Sequence, residues 1–171
     1  MNKKRICLYT DGACSGNPGI GGWSCLNYNA EDQTICDIFW GKDDLTTNNR
    51  MEILGLLQAL ELAIDKYKDC DVTIYSDSAY VVNMFNDWIT KWASNNWIGS
   101  SKQEVKNLDL VKQLYEYKKI EFPNFGVYKV KGHNNELGNE LADAIAIFAK
   151  IEDTTKLAKI LKENNITLIK E

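Results

Sequence analysis

The sequence has one histidine, two prolines and no two cysteines at CxxC spacing. Its five cysteines, Cys7, Cys14, Cys25, Cys36 and Cys70, form an odd set. A disulfide framework or a thiolate zinc site is therefore excluded as the organising device, and reduced, mostly buried thiols are expected. No apolar run approaches the roughly 20 residues that span a bilayer. The basic start Met1-Asn2-Lys3-Lys4-Arg5 leads into only a short apolar stretch, 6–9, with no small-residue cleavage site after it. A cytoplasmic protein without membrane attachment is the expectation. Internal repeats, low-complexity tracts and linkers rich in Pro, Gly or Ser are also missing. The 171 residues suit one domain and can bury a core without staples. Positive charge is scarce too: the net charge is −4 and the pI about 5.1. That counts mildly against a nucleic-acid partner, because phosphate neutralisation needs a basic surface. The distribution of charge matters more than its total, however, and a metal-binding enzyme carries an acidic cluster by design.

What is present is an ordered series of periodic segments. Residues 6–11 alternate as a strand does, 17–22 (Asn-Pro-Gly-Ile-Gly-Gly) form a turn cluster, and 23–28 and 34–41 read as two further strands of a meander. Residues 46–49 (Thr-Thr-Asn-Asn) offer N-caps to a helix. Its apolar stripe is Ile53, Leu56, Leu57, Leu60, Ile64 and Tyr67. A strand over 71–77, a helix from Ser78, a helix over 107–117, a strand over 125–131 and a helix over 136–150 follow. The tryptophan-bearing stretch 88–106 has no clear period. The order fits an α/β mixed sheet with helices on both faces. Residues 151–171 carry Leu157, Ile160 and Leu161 at helical spacing, which suits either a small docked helix or a loosely held tail.

Four acids sit where such a sheet collects ligands. Asp11 and Asp77 end predicted strands, Glu52 lies in the first turn of a helix after a strand, and Asp143 lies early in the last helix. Taken singly, each has a plain structural reading as a turn former or a helix-dipole partner. Taken together, like charges this close raise one another's pKa and need a counter-charge. Nothing basic nearby in the sequence obviously supplies it. A divalent cation would, and all-oxygen ligands favour Mg²⁺ or Mn²⁺ over zinc. Two such ions about 4 Å apart can activate water and stabilise a leaving oxygen in phosphodiester cleavage. Spacing alone leaves the convergence open.

Four stretches bear on it: Thr10-Asp11-Gly12-Ala13-Cys14-Ser15-Gly16-Asn17-Pro18-Gly19, Thr46-Thr47-Asn48-Asn49-Arg50-Met51-Glu52, Ser76-Asp77-Ser78-Ala79-Tyr80-Val81, and Val130-Lys131-Gly132-His133 joined to Asn139-Glu140-Leu141-Ala142-Asp143. In residues and order they resemble cellular ribonuclease H of type 1, the bacterial kind. The resemblance implies a ribonuclease H-like fold over 1–150, with a five-stranded mixed sheet in the order 3-2-1-4-5 and strands one to three antiparallel. It implies a monomeric endonuclease that cuts the RNA strand of RNA–DNA hybrids with two Mg²⁺ ions, for which Mn²⁺ can substitute, leaving 5′-phosphate and 3′-hydroxyl ends. Asp11, Glu52, Asp77 and Asp143 become the metal ligands. Asp11 bridges both ions, Asp143 serves the one that positions water, and Glu52 and Asp77 serve mainly the other. His133, the lone histidine, becomes an accessory in proton transfer or product departure.

The resemblance also implies substrate contacts. Telling RNA from DNA requires touching the 2′-hydroxyl. Amides around Gly12 to Cys14 and the side chains of Asn17, Asn48 and Asn49 become minor-groove contacts, and Thr47 becomes part of a phosphate pocket for the DNA strand. N-capping is the plain alternative for the two asparagines. Residues 88–106 resemble a protruding handle, in which Trp88, Lys91 and Trp92 would meet the hybrid; packing is the plain alternative for Trp88, Trp92 and Trp97. The handle has few basic residues beyond Lys91, Lys102 and Lys106, and Ala79 stands where many relatives have glutamine. Weaker hybrid binding is expected from both departures. Two rival readings remain: a nuclease or integrase-like enzyme acting on DNA, and a silent hybrid-binding module.

Overall fold

The computed structural model of the chain describes residues 2–130 and 136–170. Three long strands come first: β1 (Arg5–Gly16), β2 (Gly19–Asn29) and β3 (Thr34–Thr46). Helix α1 (Asn48–Ile64) follows, started by Thr47, whose hydroxyl accepts the Arg50 amide at 3.3 Å. Then come β4 (Asp71–Ser76), α2 (Ala79–Asn83), a π-helical turn (Met84–Trp88), α3 (Ile89–Ser94), α4 (Leu108–Lys118) and β5 (Phe125–Lys129). Helix α5 (Leu137–Ile151), α6 (Thr155–Glu163) and the short β6 (Thr167–Leu168) complete the chain.

The sheet has the order β5-β4-β1-β2-β3-β6. Strands β1, β2 and β3 are antiparallel neighbours, whereas β4 and β5 run parallel to β1. The expected α/β fold and strand order are present, with one difference. A sixth strand, β6, pairs with the outer edge of β3 (Thr34↔Thr167, Ile35↔Leu168), so the sheet is not five-stranded. A two-residue strand carries no alternation to read, and only the exposed edge of β3 makes it one.

Strand alternation splits the apolar side chains between two cores. Ile6, Leu8, Val72 and Ile74 face α1, which buries Ile53, Leu56 and Leu60 among them. Tyr9, Leu26, Tyr28 and Ile35 face the other way, against Leu141 and Ile145 of α5 and Ile160 of α6. The period-less stretch is ordered by packing. Trp88 lies 6.0 Å from Trp92 and 6.1 Å from Tyr80, and Trp97 meets Tyr115 edge-on at 5.3 Å. All three tryptophans rest against the first core. Among the thiols only Cys25 is buried; Cys7, Cys14, Cys36 and Cys70 are partly exposed, contrary to expectation. No helix among the described residues is long and apolar enough to cross a membrane.

Candidate active site

Register places the first two acids. The parallel ladder between β1 and β4 ends at Thr10↔Ser76, so Asp11, the next residue of β1, lies beside Asp77, the first residue after β4. Asp11 is not at a strand end, however: β1 continues to Gly16, paired with β2 alone beyond Thr10. Glu52 arrives from α1, as its fifth residue rather than in its first turn. Gly12 allows the approach. A β-carbon there would sit 2.5 Å from the Glu52 amide nitrogen, so any side chain would push the helix off the strand.

Asp11 and Glu52 are buried, at 4% and 3% exposure, and Asp77 is exposed. One carboxylate oxygen from each of the three lies within 4.8 Å of the others. The Gly12 amide donates to Asp11 Oδ1 at 2.8 Å, whereas Glu52 Oε2 is buried with no hydrogen-bond partner. Burial first, and then the charges of Glu52, Asp77 and Asp143, push the Asp11 carboxyl well above its usual range. Burial and the Asp77 charge likewise push Glu52 up to about 8. Without a cation this pair keeps a proton at neutral pH. An orphaned buried carboxylate oxygen facing two more carboxylates is what a hard divalent cation satisfies.

Asp143 approaches from the opposite face of the sheet. Its carboxyl is within hydrogen-bonding reach of Asp11, but it is outside the tight trio. The tie that brings it there is not legible in the sequence. Ser24 is the register partner of Asp11 on β2, and its buried hydroxyl donates to the Ala142 carbonyl at 2.6 Å. Gly22 lets the helix come this close, since a β-carbon there would sit 2.6 Å from the Ala146 carbonyl oxygen. Ser24→Ala is expected to cost about 1 kcal/mol of stability, the net worth of a typical hydrogen bond. Urea unfolding would measure it, and an unchanged midpoint would remove Ser24 as the clamp. A counter-charge also appears from an unforeseen place: Lys156, at the start of α6, pairs with Asp143.

The other candidate residues divide into two groups. Near the acids, Asn17 Oδ1 accepts the Asn48 amide at 3.2 Å, joining the turn after β1 to the start of α1. Asn17, Asn48 and Asn49 are exposed and Thr47 is half-buried. The Cys14 thiol is turned toward the chain, bonding to the carbonyls of Gly16 at 2.8 Å and Thr46 at 3.4 Å. Gly12 is buried with its amide given to Asp11, which makes it a brace for the acids. Farther out, Trp88, Lys91 and Trp92 line an open groove of about 550 Å³. A second cavity of about 280 Å³ joins Trp92 to Asn49 and Tyr80. The two share Trp92, Gly99 and Ser100, so a trough runs from the start of α1 to the tryptophans. Lys91 is paired with Asp87 at 3.5 Å, which reduces an already light positive charge. Arg50 ties α1 to α4 by a bidentate bond to Asp109, at 3.0 and 2.5 Å. Ala79 is exposed. His133 lies outside the described residues.

The family model for RNase H matches residues 3–150. Ribonuclease H of Francisella tularensis subsp. novicida is 44% identical over 145 residues, 84% of this chain and 90% of the relative. Ribonuclease H of Caldicellulosiruptor saccharolyticus is 45% identical over 145 residues, 84% of this chain and 94% of the relative. Among solved structures, LC9-RNase H1, a type 1 RNase H with the type 2 active-site motif, superposes with a TM-score of 0.71 over 99% of this chain and 88% of its own, at 23% identity. Acids brought together from β1, α1, β4 and α5 on this fold, with the family match across them, lead to one conclusion: the chain belongs to the RNase H family of hydrolases.

Proposed function

We propose that the protein is an endonuclease that hydrolyses the RNA strand of RNA–DNA hybrids. The observation that carries the reading is the buried pair Asp11 and Glu52, with an unpartnered carboxylate oxygen, within 4.8 Å of Asp77. Asp11, Glu52, Asp77 and Asp143 would hold two Mg²⁺ ions, or Mn²⁺ in their place. Bound there, the ions supply charge neutralisation at the scissile phosphate and an acidified water for in-line attack on phosphorus. Asp11, central among the four, would contribute to holding both ions; Asp143 would help hold the one that acidifies the attacking water, and Glu52 and Asp77 mainly the other. The products carry 5′-phosphate and 3′-hydroxyl ends. His133 assists proton transfer or product departure as an accessory group.

The chain's own surface supplies the grip. Asn17, Asn48 and Asn49 are exposed beside the acids and present amide groups suited to a minor groove edged with 2′-hydroxyls. Thr47, half-buried at the start of α1, would form part of a pocket for a phosphate of the DNA strand. The trough to Trp88 and Trp92 has the stacking surfaces that sugars and bases accept, with Lys91 and Lys106 as its modest charge. The protein acts as a monomer in this reading.

The test offers labelled RNA–DNA hybrid, duplex DNA and duplex RNA, each with and without Mg²⁺. Metal-dependent cutting confined to the RNA of the hybrid is expected. Cutting of duplex DNA would favour a DNA-directed enzyme, and binding of hybrid without cutting would leave only a binding module; either result overturns the proposal.

A further inference from the structure

The segment after residue 150 lies beyond the family match and is tied down beside the acids. Ile160 is buried in the second core, and Leu157 and Leu161 pack against it. Beyond α6, Thr167 donates its amide to the Gln33 carbonyl and Ile169 to that of Ile35, both at 2.9 Å. The turn before α6 is equally defined. Glu152 takes a left-handed conformation (φ +59°), and Asp153 Oδ1 accepts the Thr155 amide at 2.9 Å. Lys156 therefore starts from an anchored helix, and its ammonium donates to Asp143 Oδ2.

We propose that Lys156 is the resident counter-cation of Asp143, and that a divalent ion reaching Asp143 must displace it. The inference rests on the two-ion reading above and assigns the C-terminal segment a role in it: setting the ion concentration at which the weaker site fills. Geometry makes the exchange feasible. The side chains of Lys156 and Asp143 are 44% and 37% exposed, so the pair is open to water and can break without repacking the core. The lysine stem rotates about single bonds while α6 stays docked through Leu157, Ile160 and Leu161. An ammonium and a divalent ion on the same carboxylate repel one another, so an ion arriving at Asp143 drives the lysine off Oδ2. The exchange takes place at a half-buried acid on the side of the cluster that α6 covers.

Divalent-ion binding to the full-length protein tests this directly, counted with Mn²⁺ from the resonance of the free aquo ion at low ionic strength. In Lys156→Gln the weaker binding event is expected to tighten about fivefold, the effect of one unit charge at contact in a water-like dielectric. Lys156→Arg retains the charge and should bind as the unsubstituted protein does. Lys159→Gln, exposed on the same helix and one turn beyond Lys156, controls for net charge and should change affinity less than about twofold. Melting temperatures establish that each variant is folded. An unchanged affinity in Lys156→Gln, or an equal change in Lys159→Gln, overturns the role of Lys156 while leaving the two-ion reading standing. Failure of the unsubstituted protein to bind a second ion would overturn the two-ion reading, and the displacement with it.

Discussion

Asp11→Asn is expected to lose at least about a thousandfold in hybrid cleavage, equivalent to roughly 4 kcal/mol of transition-state stabilisation. It should lose no stability in doing so. The two effects separate because Asp11 is nearly isosteric with asparagine but carries the charge on which the cluster turns. It is buried at 4% exposure, next to Glu52, Asp77 and Asp143, and its ionised form is disfavoured by burial and by all three neighbours. The substitution costs the metal-free protein little, because the pair already keeps a proton there, but it destroys the shared ligand of the proposed ion pair. Asp77→Asn should also abolish turnover with the fold intact, since Asp77 is exposed and supports no core contact. Initial rates at saturating Mg²⁺, read beside melting temperatures, check both variants. Activity retained by Asp11→Asn in a folded protein would exclude it as a ligand.

The four acids could be picked out of the sequence because each closes a periodic segment or lies just inside one. What brings them together could not. The parallel register Thr10↔Ser76 that sets Asp11 beside Asp77 joins strands 60-odd residues apart. The Ser24–Ala142 bond links residues 118 apart. Lys156 sits in a stretch whose apolar spacing suits a docked helix or a tail equally, and the choice is made by burial of Ile160 and the edge of β3. Between Ala79 and Ser94 helical periodicity is broken by the π-helical turn at Met84–Trp88, which shifts the tryptophans off any single 3.6-residue stripe. Their order follows from ring packing instead, a tertiary fact. Gly12 was visible as part of a motif, but its reason is steric and belongs to the contact between β1 and α1.

Stability of the metal-free protein should fall as pH rises from about 5 to 8, and Mg²⁺ should cancel the fall. In the folded chain Glu52 is raised to about 8 by burial and the Asp77 charge, and Asp11 is raised in the same direction. In the unfolded chain both carboxyls lose their protons near pH 4. Between these limits the folded state holds a proton that the unfolded state has released, so the stabilising contribution is complete below about pH 4 and shrinks as pH climbs to about 8. Above that the folded pair ionises too and the slope levels. One retained proton accounts for on the order of 3 kcal/mol across this window, or roughly 6–12 °C in a chain of this size. The other shifted groups titrate elsewhere. Asp37, held low despite its burial by Lys66 and Tyr67, matters only below the ordinary carboxylate range, and the raised thiols Cys7 and Cys25 only above pH 9. Glu52→Gln removes one of the two proton sites, so its metal-free stability should vary less with pH and exceed that of the unsubstituted protein at pH 8. Every other titratable group is common to both proteins, so the comparison isolates the acids. Thermal melts in chelator and in Mg²⁺, at pH 5 and pH 8, give all four corners. A flat metal-free profile, or an Mg²⁺ increment equal at both pH values, would mean that the acids are not coupled to a cation in the way the buried pair requires.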